Sequence, residues 1–317
     1  MIESIAEASW TRATEPARSA EPSVSVVIAS VNGFPCLGEC LDALLRQEGG
    51  VPFEVLVVDR CEERTRAEFR RRFPDPPIRL IPVAGRPSIP ALRAIGIRQA
   101  RGQMVAVTED HCLAPPRWVE TIWKAHEAGL RIVGGAVANG ATWRVTDWAV
   151  FFCEYAGSMP PMPTGRVADT PGNNTAYDRR LLDRLGPEIG AEVWESFLHR
   201  RLREFGEEFV LDPGMEIVHK KEFGFWYFLS QRYHYSRSFA GMRLAGAPTW
   251  KRGAYAASTA LLPGLLLARI GREVWRKGRI RTLLPTLPAL AAFLAVWAWG
   301  EAVGAVAGPG RSLARVE

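Results

Sequence analysis

The chain has 317 residues, 40 Lys and Arg against 34 Asp and Glu, a net charge of +6 and 47% apolar residues. That composition is globular, with enough length for one large α/β domain and an appendage or for two modest domains. The basic balance points to an anionic partner, but nucleic acid, nucleotide phosphates and anionic lipid satisfy it equally. Five cysteines without CxxC spacing exclude a disulfide framework and a zinc ribbon, and fit reduced thiols.

Residues 1–22 have early acids and no apolar secretion core, and read as a flexible tail. "SVSVVIAS", 23–30, is a β-branched run closed by the turn residues Asn32 and Gly33, and predicts a buried strand. Leu37, Cys40, Leu41, Leu44 and Leu45 then fall on one helical face. "FEVLVVD", 53–59, predicts a second buried strand ending in a carboxylate. "RTRAEFRRRF", 64–73, is a basic helix, "IRLIPVA", 78–84, a third strand, and "SIPALRAIGIRQARG", 88–102, a helix stopped by Gly102. "QMVAVTED" is the fourth strand, and it runs into Glu109-Asp110-His111.

Alternating strand and helix over 23–128 predicts a mainly parallel sheet covered on both faces, with ligands at the carboxyl ends of the strands. Asp59, Glu109 and Asp110 all sit on that edge. Beyond residue 131 the pattern loosens: "RIVGGAVAN" is a strand, 159–177 a Pro/Gly/Asn-rich loop, "RRLLDRLG" a helix, and 192–206 an amphipathic helix with Val193, Phe197, Leu198, Leu202 and Phe205 on one side.

The C-terminal region has a different character. Residues 283–308 contain Glu301 as their only charge, and 283–307 is a transmembrane candidate, since about 20 apolar residues cross a hydrocarbon layer of about 30 Å. Arg269, Arg272, Arg276, Lys277, Arg279 and Arg281 precede it and by the positive-inside rule face the cytoplasm. The shorter stretch 254–268, interrupted by Pro263, reads as interfacial or re-entrant. Expected divisions are 1–22, a catalytic domain over 23–222, an amphipathic juxtamembrane segment over 223–253 and a membrane-associated region over 254–317.

The order of motifs over roughly 23–240 resembles family 2 inverting glycosyltransferases. The motifs are "VSVVIASVNG", "CLGECLDALLRQ", "FEVLVVD", "ALRAIGIRQARG" and "TEDHCLAPPRWVE". The resemblance implies a GT-A fold, a Rossmann-like three-layer α/β/α arrangement around a mainly parallel mixed sheet, here followed by C-terminal membrane-associated helices. It implies that Ala29, Asp59 and Arg93 border the nucleotide and that Glu109 and Asp110 form a DxD-type motif. Asp110 would hold the divalent metal, Mg²⁺ or Mn²⁺, on the diphosphate of a nucleoside-diphosphate sugar, with Glu109 at the ribose or behind the metal ligands. It further implies an acceptor loop around Asn173 and Asn174, a catalytic carboxylate at Glu195, diphosphate contacts from Arg232 and Arg237, and His219 near the phosphates or metal.

Chemistry supports the same roles. A hard cation on carboxylate oxygens stabilises a dianionic leaving group, and inversion needs a base for the acceptor hydroxyl. Trp194, beside Glu195, is placed to stack on a sugar ring, while Glu195 could instead pair with His199 one turn on. His111 reads as a polar loop histidine, and Cys112 finds no further metal ligands at suitable spacing.

Many relatives carry a second acid at the position of Arg60. Arginine only donates hydrogen bonds, so it could fork onto guanine O6 and N7 or turn to solvent. The reading is a cell-membrane enzyme with its catalytic domain facing the cytoplasm, acting on a lipid-linked or glycan acceptor. The alternative is a catalytically inactive nucleotide- or glycan-binding scaffold. A nucleic-acid partner is not expected, because no recognition motif is present and the densest basic run abuts the apolar C-terminal stretch.

Overall fold

The computed structural model describes residues 21–74, 78–186 and 194–317. Residues 1–20 of the expected tail, and Val193 of the expected amphipathic face, lie outside these.

The elements begin with β1 (Val24–Ser30), α1 (Cys36–Leu45), β2 (Phe53–Asp59), α2 (Glu63–Arg72), β3 (Ile78–Pro82), α3 (Ile89–Gln99), β4 (Met104–Glu109) and β5 (Cys112–Leu113). They continue with α4 (Trp118–Glu127), β6 (Ile132–Gly134), β7 (Val137–Asn139), α5 (Val145–Tyr155), β8 (Gly165–Val167), β9 (Thr175–Asp178), α6 (Arg179–Leu185), α7 (Glu195–Glu204), β10 (Phe209–Leu211) and β11 (Ile217–His219). The last helices are α8 (Phe225–Arg243), α9 (Thr249–Ser258), α10 (Leu262–Arg276), α11 (Ile280–Leu283) and α12 (Leu287–Ala307).

The main sheet has eight strands in the order β3-β2-β1-β4-β9-β6-β10-β8. Its first four strands are parallel, while β9 runs antiparallel to both neighbours. The β-branched runs of β1 and β2 are buried on both faces, as central parallel strands require. The edge strand β3 is only partly buried and ends in Pro82, a residue an edge tolerates because its missing N–H costs no ladder bond. In α1, Leu37, Cys40, Leu41 and Leu44 are buried but Leu45 is exposed.

"RIVGGAVAN" divides at Gly134-Gly135 into β6, in the main sheet, and β7, in a second sheet ordered β5-β11-β7. A Cβ on Gly135 would run into the Met215 carbonyl, so only glycine lets the chain leave one sheet for the other here. The second sheet carries β5, directly behind the acidic turn, and β11, which ends in His219. Helix α5 arises from a stretch whose periodicity gave no assignment; Asp147 caps it by accepting from the Arg144 N–H at 3.1 Å.

Two helical runs, Thr249–Arg276 and Ile280–Ala307, are long and apolar enough to cross a membrane. The second is covered along one side. Leu290, Phe293 and Leu294 join the main core, and Gly300 and Gly304 admit the α8 backbone at Tyr233 and Arg237. In the turn between the runs, Lys277 donates to the carbonyls of Ala156 and Gly157 at 3.1 Å each, and also to that of Met159. Glu301, the charge inside the apolar run, is buried and accepts from Trp297 Nε1 at 2.7 Å and from the Tyr255 hydroxyl. Helix α8, Phe225–Arg243, packs along α12 and puts Phe228 into the main core.

Candidate active site

At the carboxyl edge of the sheet, β4 ends with Glu109 and the next two residues turn back toward β1. Asp110 is fully buried. Its Oδ2 accepts the backbone N–H groups of Val31 and Asn32, both at 2.8 Å, and its Oδ1 accepts Asn32 Nδ2 at 2.6 Å and lies 2.9 Å from His111 Nδ1. Burial alone would raise this carboxyl; His111 and the Asn32 donors outweigh it and hold it low. Both oxygens of Asp110, the expected metal ligand, are therefore committed to the turn and to one face of His111.

Glu109 heads a row of charges. Arg93, in the buried face of α3, donates from Nη2 to Glu109 Oε1 at 3.0 Å and pairs through Nη1 with Glu195. Asn173 Nδ2 reaches the second Glu109 oxygen at 3.2 Å and the Tyr155 hydroxyl at 3.0 Å. Burial pushes Glu109 up, yet the hydrogen bond and charge of His111, with Arg93 behind them, hold it below the carboxylate range. Glu195 does not pair with His199: that imidazole is buried against the Tyr177 hydroxyl and Asp169. Gly172 lies directly under the Glu195 side chain, where a Cβ would meet its carboxyl carbon.

Beside this row stand two buried imidazoles. His111 Nε2 lies 2.9 Å from His219 Nε2 and 3.4 Å from Glu109 Oε2. The neighbouring carboxylates raise His111 to about 9 against its burial, while burial and the facing His111 push His219 down to about 3. His111 is therefore part of the site rather than a loop histidine. Ligand atoms of Glu109, His111 and Cys112 also lie within 4.8 Å of one another. Burial beside Glu109 raises the Cys112 thiol well above its ordinary value, which disfavours the thiolate that binds metals.

These groups share one cavity of about 260 Å³, which Ala29, Asn173, Trp194 and Arg232 also line. Arg232, on α8, is buried against the Tyr235 and Trp297 rings, 4.4 and 4.6 Å from their centroids, and lies 3.4 Å from Glu154. Trp194 donates to Ser238 at 3.1 Å and packs on Tyr235.

Three expected residues lie outside the cavity lining. Asn174 is a buried brace between Trp118, Ala136 and Met215; Asp59 is held by Ser30 at 2.8 Å and Arg66 at 3.0 Å; Arg237 donates to Gly308 at 3.3 Å. Arg60 faces neither solvent nor open space: it donates to the carbonyls of Pro87 at 2.7 Å and Val316 at 3.1 Å. Sequence reasoning missed Glu154, Tyr155 and Trp297. The first two come from a helix without clear periodicity, and Trp297 was counted with the apolar span.

The family model for glycosyl transferase family 2 matches residues 25–186, just over half of the chain. The succinoglycan biosynthesis protein ExoO of Rhizobium meliloti (strain 1021) is 34% identical over 118 residues, 37% of this chain and 34% of that protein. The uncharacterized glycosyltransferase YwdF of Bacillus subtilis (strain 168) is 27% identical over 129 residues, 39% of this chain and 47% of that protein. The matched part thus spans less than half the length of either relative. The mannosyltransferase PcManGT from Pyrobaculum calidifontis, solved with GDP-Man and Mn²⁺, shares the fold with a TM-score of 0.53 at 17% identity, over 89% of this chain and 87% of that one. With the family model covering all strands of the main sheet but β10, the acidic turn and the Asn173 loop, the chain belongs to glycosyltransferase family 2.

Proposed function

We propose that this protein transfers a sugar from a nucleoside-diphosphate donor to an acceptor hydroxyl with inversion at the anomeric carbon. The observation that carries the reading is the Glu109–Arg93–Glu195 row, which joins the nucleotide edge of the sheet to the start of α7 inside one cavity. Arg93 fixes both carboxylates. The Glu195 carboxylate takes the acceptor proton as the hydroxyl attacks, and the Trp194 ring next to it orients the acceptor sugar. Arg232, buried on aromatic faces, faces the leaving diphosphate as a fixed cation.

A divalent metal at this site is supported by the solved neighbour, whose complex holds Mn²⁺. His111 Nε2 stands between Glu109 Oε2 and His219 Nε2, at 3.4 and 2.9 Å, and Asp110 holds His111 through Nδ1, which leaves Nε2 to ligate. Asp110 thus orients a ligand instead of being one. When bound, the metal neutralises charge developing on the departing diphosphate. Two imidazoles and one carboxylate suit Mn²⁺ better than Mg²⁺, which prefers oxygen ligands.

The C-terminal helices seat the protein on a membrane, with the catalytic layers on the cytoplasmic side and a lipid-linked or glycan acceptor arriving along the surface. Trp250, Leu261, Leu265, Trp275, Leu284 and Trp299 are exposed along these helices, beside the basic cluster from Arg269 to Arg281. The biosynthetic name of the Rhizobium relative supports a polysaccharide intermediate as acceptor.

The test is turnover of a panel of nucleoside-diphosphate sugars with Mn²⁺, comparing the native chain with Glu195→Gln. Turnover lost in the variant, with nucleotide binding retained, supports the enzyme. Nucleotide binding without turnover of any donor makes the protein a binding scaffold and overturns the proposal.

A further inference from the structure

After α12 the chain turns at Gly308, whose φ is +77°, and runs back to the cavity, where Val316 and Glu317 join the lining. The segment Ser312–Glu317 is held there along its length. His234 Nδ1 lies 3.1 Å from Ser312 Oγ, and Gln231 donates to the Arg315 carbonyl at 3.3 Å and accepts from the Glu317 N–H at 2.7 Å. Arg60 donates to the Val316 carbonyl, the Tyr227 hydroxyl donates to Glu317 at 3.0 Å, and Arg86 forms an ion pair with Glu317.

Between these polar clamps the Val316 side chain is buried, only 7% exposed, in one apolar cluster with Ala29, Val58, Ile89 and Leu92. Ala29 and Val58 are at the carboxyl ends of β1 and β2, where ligands of such sheets bind. Val316 and Glu317 line the same cavity as Glu109 and Asp110. With the segment seated, the cavity of about 260 Å³ is smaller than the roughly 300–1,000 Å³ of ordinary ligand pockets. A nucleoside-diphosphate sugar is larger than the usual occupant of such a pocket.

We propose that Ser312–Glu317 is a built-in plug that occupies the nucleobase end of the donor site and leaves it when nucleotide binds, with Arg60 as its clamp. This rests on reading the cavity as a donor site. It also gives Arg60 a role: where an acid would read the base, this chain has a donor that grips its own backbone. The plug and the nucleotide compete for one pocket, so the apparent affinity for nucleotide is the intrinsic affinity scaled by the open fraction. A plug seated in nine molecules of ten weakens binding about tenfold.

The experiment measures GDP and UDP binding by calorimetry with Mn²⁺, in the full chain, in Val316→Asp and in a chain ending at Arg311. Circular dichroism and Tm check that each is folded. The expected result is binding about tenfold tighter in both variants than in the full chain, and faster tryptic cleavage after Arg315 in the full chain when nucleotide is added. Equal or weaker binding in both folded variants, with nucleotide still bound by the full chain, overturns the plug and leaves the donor site standing. Absence of nucleotide binding in all three folded proteins overturns the donor site and the plug together.

Discussion

The Nε2 atoms of His111 and His219 lie 2.9 Å apart, and the opposite nitrogen of His111 is held by a buried carboxylate that cannot turn away. Two facing ring nitrogens can share only one proton, so the pair is preorganised to share something that accepts two lone pairs. We expect His219→Ala to abolish Mn²⁺ binding followed by electron paramagnetic resonance. Asp110→Asn should weaken it by roughly 10–100-fold, because the orienting partner of His111 is altered while both imidazoles remain. Unchanged Mn²⁺ affinity in both variants would remove the metal from this pocket.

Glu195→Gln should lower kcat by roughly 10²–10⁴-fold with little change in KM for the donor, since the side chain keeps its shape and loses its proton-accepting charge. A variant whose KM rises while kcat holds would assign Glu195 to donor binding instead.

Stability should depend on Glu54. Its Oε1 accepts Ser25 Oγ at 2.7 Å and Arg101 N at 2.8 Å, and its Oε2 accepts two donors of the Arg101 guanidinium, which ties β2 to β1 and to the turn before β4. Burial raises its pKa, but the Arg101 and Ser25 hydrogen bonds outweigh burial and lower it. A folded-state pKa below the unfolded one contributes stability above the ordinary carboxylate value of about 4.3 and loses it as pH falls through the folded value. Glu54→Gln should cost about 2 kcal/mol at pH 7 in urea unfolding, and the gap to the native protein should narrow on acidification. A gap independent of pH would mean that shape rather than charge matters there.

Gly135→Ala places a methyl group against the Met215 carbonyl at the point where the chain passes between the two sheets. We expect a loss of about 1–3 kcal/mol and, because β7 pairs with the strand that ends in His219, weaker Mn²⁺ binding. A Tm equal to that of the native protein would show that the crossing relaxes freely.

For the C-terminal helices, replacing Leu261, Leu265 and Trp275 together by serine should reduce flotation with anionic vesicles. High salt should weaken the association of the native protein through its arginines. Flotation unaffected by either change would place the membrane contact elsewhere.

Much of this molecule could be read from residue order. The runs at Val24–Ser30, Phe53–Asp59 and Met104–Glu109 read as buried parallel strands, and the acidic ends of the last two fall on one edge. The 19-residue helix Phe225–Arg243 was harder to read, because its apolar residues serve three surroundings: Phe228 and Tyr235 face the cavity, Ala240 and Gly241 take close neighbours, and Trp226 is exposed. No single stripe survives such division. Val145–Tyr155 was missed for a related reason, since aromatic packing inside the core leaves little contrast between faces.

By itself the sequence determined the first four strands of the sheet, the carboxyl edge on which Asp59, Glu109 and Asp110 stand, and the apolar C-terminal run, because each depends on local pattern. Only the tertiary structure decided which atoms remain free. Asp110 is consumed by the Val31–Asn32 backbone, His111 is turned toward His219 from 108 residues away in sequence, and Arg60 grips Val316 from 256 residues away. Hydrogen-bonding capacity is exhausted by whichever partner the fold brings closest, and a partner so distant in sequence leaves no trace in local spacing.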